Sequence, residues 1–315
     1  MQELTTTRHN ELIEPFLQIW NWQIPVYLFL GGLVAGLMII SGYSLLKGRF
    51  KENDCSCVYL PLVSIILLSL GMLALFLDLE HKLFVWRLYT AFRITSPMSW
   101  GAWILIAVYV ALLSNFLINP PLLLKALSPR LQAVSEEFQS SEKVVKGVAT
   151  GSILLGTLLG IYTGILLSSL GARPLWNSSS LWLLFLVSGL SSASAFVHLI
   201  SKNAEEKHFL LKADSALLIA ELFVIFMVIL GLLSSDRAHI EAVSLILTGK
   251  YAAVFWVFVV GLGIVIPLLL QLLTLKSKVR HSVIPALMVI FGGLLLRFVI
   301  VYAGQYSHYL NAHFK

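Results

Sequence analysis

Four ionisable side chains stand inside runs that are otherwise apolar: Asp78, Asp214, Glu221 and Arg297. A charge at the centre of a bilayer costs on the order of 2.5 to 3.5 kcal/mol on insertion scales, so such residues are functional candidates by default. Asp214 and Glu221, seven residues apart, fall on one stripe of a helix, and His198, near the inner end of its own run, can stand beside them. Two carboxylates, an imidazole and a guanidinium spaced through a membrane are the groups of a proton path from the cytoplasm. The competing readings are structural: Asp214 as a helix cap, Glu221 as the partner of Arg297, His198 as an interfacial residue satisfied by its neighbours.

A second constellation falls at the opposite side. Tyr27 lies one turn into the first apolar run, Asp78 ends the second, His81 follows it, and Tyr162 lies in the outer third of the fourth. Two tyrosines, a carboxylate and a histidine beside a lipid-facing cleft can hydrogen-bond the oxygens of a quinone and move its protons. Taken singly, each tyrosine also fits an aromatic anchor at the membrane surface.

These groups need rigid elements to hold them, and composition says which. The 315 residues are 58% hydrophobic and 12% charged, with a mean hydropathy of +0.88, far from the roughly one-quarter charged residues of soluble domains. Crossing about 30 Å of hydrocarbon takes about 20 apolar residues as a helix. Eight such runs start near Trp22, Val58, Met98, Lys146, Leu181, Ala213, Tyr251 and Val283. Their polarity does not alternate, which excludes the strands of a barrel, and lipid leaves helices as the other way to satisfy the backbone. The expected fold is an all-α integral membrane protein of eight transmembrane helices in two four-helix bundles, residues 1–175 and 176–315.

Orientation follows from basic residues in the connections. Those after odd-numbered runs, with Lys47, Lys125, Lys202 and Lys276 among them, hold thirteen; the tails and the remaining connections hold eight. Both termini are therefore expected on the periplasmic side, and the net charge of +6 is mostly this topological signal, with no nucleic acid needed to explain it. The segment before the first run carries Glu3, Glu11 and Glu14 against Arg8 and lacks the basic start of a cleaved signal peptide.

The connector from Asp78 to Pro97 is crowded with aromatic and basic groups. Trp86, Arg87, Tyr89, Arg93 and Trp100 have the aromatic and arginine enrichment of a protein interface, with an amphipathic membrane-surface segment as the competing reading. Cys55 and Cys57, the two cysteines of the sequence, fall in an inner connection and read as unpaired thiols. Of eight histidines, His198 alone lies within a run, so the paired axial ligands of a membrane haem are not expected, nor is an iron–sulfur cluster. Small residues in "GGLVAG", "GTLLG" and "SGLSSASA" (Gly31–Gly36, Gly156–Gly160, Ser188–Ala195) are the packing faces that let helices approach closely.

Three blocks carry a resemblance: "NWQIPVYLFLGGLVAGL" from Asn21, "WRLYTAFRITSPMSWGAWIL" from Trp86 and "GIYTGILLSSLGARPLWNSSSLWLLFLVSGLSSASA" from Gly160. They are similar to the NrfD/PsrC-like family, the membrane subunits of polysulfide reductase and its relatives. The resemblance implies a cofactor-free subunit of the bacterial inner membrane. Such a subunit exchanges electrons between a membrane quinol, menaquinol by expectation, and a periplasmic four-cluster iron–sulfur subunit, which passes them to a molybdopterin catalytic subunit. It also implies Tyr27, Asp78 and Tyr162 as quinone-pocket positions and Asp214, Glu221 and Arg297 as buried charged positions. Where many members carry a glycine-arginine pair after the aspartate, this chain has Glu80 and His81. The competing class is a proton- or ion-conducting transporter without redox chemistry. Against it stands the lack of Gly/Pro-broken spans at matching positions of two halves.

Overall fold

The computed structural model describes residues 20–48, 58–90, 92–121, 124, 128–277 and 282–309. Cys55, Cys57, His281 and His313 lie outside the described residues. Among those described, eight helices are long and apolar enough to span a membrane: α1 (Gln23–Leu46), α2 (Leu60–Asp78), α3 (Pro97–Ile118), α4 (Glu142–Ser168), α5 (Leu181–Ile200), α6 (Ala204–Leu233), α7 (Val254–Lys276) and α8 (Ile284–Tyr306). The described residues contain no strand. The protein is a multi-pass membrane protein.

Two spans differ from the simplest expectation. Span six begins at Ala204, nine residues before its apolar run, because Asn203 caps it by accepting from the Glu205 amide at 2.9 Å. Asp214 therefore stands well inside the helix and is not its cap. The first twelve residues of α7, Val254–Val265, form a π-helix, a rare form often found at functional sites. Two helices of 12 and 11 residues lie in connections, Pro129–Ser140 and Arg237–Leu247. They are too short to register as spans, and the first is held to the end of α3 by Ser135 and Gln139, both donating to the Ile118 carbonyl (2.8 and 2.7 Å).

Helix α1 is the most enclosed of the eight and packs on α2, α4, α5 and α8. A helix apolar all round needs such a position. Its neighbours approach through the small residues: a Cβ on Gly189 of α5 would stand 2.6 Å from the Gly32 carbonyl of α1. Helices α2, α3 and α4 pack in sequence beside it, and α5 packs on α6 and α8, with α8 against α7.

One end of the assembly is closed by aromatic contacts. Trp176, in the connection between α4 and α5, is 4% exposed, stacks on Trp20 at 5.1 Å and donates its indole N–H to the Ile300 carbonyl at 2.9 Å. Gln305 both donates to the Trp20 carbonyl and accepts from its amide, each at 2.9 Å. The Trp176 indole occupies the space that a Cβ on Gly304 would need. Gly304→Ala is therefore expected to destabilise by about 1–3 kcal/mol, the usual scale of overpacking. A lower melting temperature of the detergent-purified protein, with part of the loss recovered in Gly304→Ala/Trp176→Phe, checks this.

Candidate functional site

The first cluster begins with two side chains from helices that pack on each other, α1 and α4. Tyr27 (3% exposed) and Tyr162 (6%) are both buried, with their hydroxyls near enough to interact. They line a cavity of about 110 Å³ whose other walls include Met72, Leu75, Met98 and Leu166, together with Tyr89. Tyr89 sits in the short helix Arg87–Thr90; burial first, and Tyr109 second, push its hydroxyl above the ordinary tyrosine value, so it stays a neutral donor. Gly101 makes room for the ring of Tyr162, since a Cβ there would overlap its hydroxyl end.

Of the four residues that the sequence groups at this end, the structure joins two. Asp78 is half-buried at the end of α2 and His81 is exposed, with its ring edge-on to Phe84 at 6.4 Å. The cavity wall is formed by Leu79 between them. Of the connector residues, Trp86, Arg87, Arg93 and Trp100 are exposed, while Tyr89 turns inward to the cavity. The exposed set is aromatic and cationic, the Arg87 guanidinium lying 4.5 Å over Phe84 and 5.6 Å over Trp86. Leu83, Phe92 and Ile94 are 88%, 58% and 71% exposed beside them, an apolar patch of the kind that marks an interaction surface.

The second cluster is a column through α5, α6, α7 and α8. Arg297 is 0% exposed. It donates to Ser188 Oγ and, at 3.0 Å each, to the carbonyls of Gly293 and Phe185, and it lies 5.0 Å over the Phe185 ring. Glu221 (4% exposed) lies near the same Ser188 and interacts electrostatically with Arg297. Two turns earlier along α6, Asp214 (2% exposed) accepts from Ser191 Oγ at 2.9 Å and from Gln271 Nε2 at 2.6 Å, and interacts with Glu221. Burial of three charges is tolerable because each has opposite charge or charge-assisted hydrogen bonds nearby.

His198 joins Asp214 in lining a small cavity of about 10 Å³. The sequence singles out all four residues of this column but not the groups between them. Ser188 and Ser191 read as small packing residues in "SGLSSASA", yet their period of three sets both hydroxyls on the inner side of α5, Ser188 toward Arg297 of α8 and Ser191 toward Asp214 of α6. Gln271, a polar residue in an apolar run, was the available signal for the third partner. Among the described residues there is no group of three or more His, Cys, Asp or Glu side chains placed to hold a metal.

Eight spans, an aromatic cavity near one end and a buried charged column define a polytopic membrane protein with internal polar chemistry. A family model described as polysulphide reductase, NrfD, matches residues 6–307, and the protein belongs to that family. It is 31% identical over 309 residues to protein NrfD of Escherichia coli (strain K12), a match that spans 91% of the present sequence and 95% of that protein. It is 30% identical over 306 residues to a polysulfide reductase chain of Wolinella succinogenes, spanning 91% and 94%. A tetrathionate reductase subunit of Salmonella typhimurium is 27% identical over 237 residues, spanning 75% and 65%.

Proposed function

We propose that this protein is the quinone-interacting membrane subunit of a molybdopterin-dependent oxidoreductase complex of the bacterial inner membrane. It exchanges electrons between menaquinol and a periplasmic iron–sulfur subunit, with protons drawn along the charged column. The observation that carries the reading is the placing of two buried tyrosines, Tyr27 and Tyr162, in the wall of one apolar cavity, next to the exposed aromatic connector. Apolar walls suit a quinone ring and two phenol hydroxyls suit its oxygens. Two relatives are named as parts of polysulfide and tetrathionate reductases, which supports the same class.

In this reading Tyr27 and Tyr162 hold the substrate oxygens and keep the ring dry, and Asp78 with His81 exchanges protons at the outer mouth. Trp86, Arg87, Arg93 and Trp100 dock the iron–sulfur subunit, whose nearest cluster then lies close to the cavity through Tyr89, and both termini are periplasmic. Residues 1–175 carry the pocket and the docking connector; residues 176–315 carry His198, Asp214, Glu221 and Arg297.

Tyr162→Phe and Asp78→Asn are each expected to abolish electron transfer from a quinol analogue while the complex assembles and an artificial donor still reduces the partner subunits. Wild-type quinol turnover in both variants would remove the pocket from the mechanism. Voltage-driven proton flux through the isolated subunit in vesicles without quinone would instead favour a transporter.

A further inference from the structure

The charged column needs a place where protons arrive from the inner side, and α7 supplies a residue there whose geometry is unusually constrained. Gln271 is 2% exposed within a span. A glutamine amide has a donor end and an acceptor end, and at this site both are committed. Its Nε2 donates to Asp214 Oδ2 at 2.6 Å, while its Oε1 accepts from Ser215 Oγ at 2.9 Å. Ser215 is the residue after Asp214 on α6 and shares its one hydroxyl hydrogen between Gln271 and the Leu211 carbonyl at 2.8 Å, so the bond to Asp214 sets the direction of the amide and Ser215 supports it. Ser191 of α5 holds the second Asp214 oxygen at 2.9 Å. The carboxylate is thus clamped from two neighbouring helices.

Beside the clamp lies the cavity of about 10 Å³ lined by His198, Asp214, Gln271, Ser282 and Pro285 among others. That volume suits one water molecule, which needs two to four polar partners, and His198, Asp214, Gln271 and Ser282 can provide them. The ionisable groups around Asp214 are His198 from α5, Glu221 on its own helix, and Arg297 of α8 beyond Glu221; Gln271 is the contribution of α7.

We propose that Gln271 is a positioning residue that aims the Asp214 carboxylate at a single water held between it and His198, making that water the step by which protons reach the column from the inner side. The water passes one proton to the Asp214 carboxylate as it takes one from a protonated His198, so the water is left unchanged, both side chains end neutral, and His198 is protonated again from the inner side. Gln271 itself carries no proton. Its amide orients the acceptor, and loss of the amide leaves Asp214 held by Ser191 alone and free to turn from the cavity. This inference rests on the proton path of the proposed function, and its test separates the two.

Infrared difference spectra of the purified subunit, without partners or quinone, give the Asp214 carboxyl band as the one lost in Asp214→Asn. In Gln271→Leu that band is expected to shift. Ser215→Ala, which frees the amide without touching Asp214, should shift it in the same direction by less, and this variant keeps the test available if Gln271→Leu accumulates poorly. In the full complex in proteoliposomes, proton uptake coupled to quinone turnover is expected to fall about tenfold or more in Gln271→Leu, the scale of one hydrogen bond to a charged group, with the quinone KM unchanged. Gln271→Asn, which keeps the amide on a shorter arm, should recover part of the loss. An Asp214 band that stays in place in both Gln271→Leu and Ser215→Ala overturns the positioning. A shifted band with unaltered proton uptake overturns the water step alone, whereas proton uptake unaltered in Asp214→Asn as well overturns the proton path on which it rests.

Discussion

Arg297→Leu is expected to abolish accumulation of the folded protein in the membrane. The guanidinium is 0% exposed and donates to Ser188 and to two backbone carbonyls. Its loss leaves those acceptors unsatisfied and Glu221 without its cation. Breaking a buried pair by removing one partner costs about 3–5 kcal/mol, against a total stability of about 5–15 kcal/mol for a typical protein. Glu221→Gln removes the charge from the other side at nearly constant shape and should reduce accumulation less, because every hydrogen bond donated by Arg297 stays in place. The double variant Arg297→Gln/Glu221→Gln tests the coupling: removing both charges leaves neither one buried alone, so it should accumulate better than Arg297→Leu. Membrane yield and detergent melting temperature of the three proteins decide it. Equal yield for Arg297→Leu and wild type would show that the arginine is not anchoring the column.

Where Glu221→Gln does accumulate, its turnover is informative. Under the proposed function the variant slows quinone turnover, or uncouples it from the membrane potential, with quinone affinity nearly unchanged. A charge moved across 100 mV is worth about 2.3 kcal/mol, enough for even partial transit to leave a measurable dependence. Normal accumulation with fully normal, potential-sensitive turnover would sink both the structural and the proton-carrying roles.

The second large effect is expected at a residue with no side chain. In Gly101→Ala the new methyl group would overlap the Tyr162 ring at both Cζ and the hydroxyl oxygen. With Tyr162 only 6% exposed the ring has little room to yield, so it must leave Tyr27 and fill the cavity. On the proposed function, quinol turnover then falls by about a hundredfold or more, the range of a lost general acid or base. Electron flow from an artificial donor through the partner subunits should survive. Gly101→Ala/Tyr162→Leu relieves the clash and should restore thermal stability without restoring quinol turnover. Unchanged turnover in Gly101→Ala would show that the tyrosine pair is not part of the reaction.

The membrane class and the eight helices were legible in the sequence because the bilayer imposes a one-dimensional rule: about 20 apolar residues must run together. The buried charges were legible for the same reason, since Asp214, Glu221 and Arg297 interrupt runs where lipid penalises them. Span six shows the limit of that rule. Its first nine residues, beginning at Ala204, are polar enough to look like a loop, and the Asn203 cap extends the helix through them.

What only the tertiary structure decided was which polar groups meet. Tyr27 and Tyr162 pair because α4 packs on α1, whereas Asp78 and His81, equally near in depth, stand outside the cavity wall. Tyr89 belongs by sequence to the exposed connector, and the turn of one short helix sends it inward. Gln271 reaches Asp214 from a helix whose first twelve residues are wound in a π register. In that register the backbone bonds run from i to i+5, so the face on which Gln271 emerges does not follow from α-helical periodicity. Depth along a membrane normal is a property of one segment and can be counted; azimuth around a helix depends on its neighbours, and here the neighbours set it through Gly32, Gly101, Gly189 and the serines of α5.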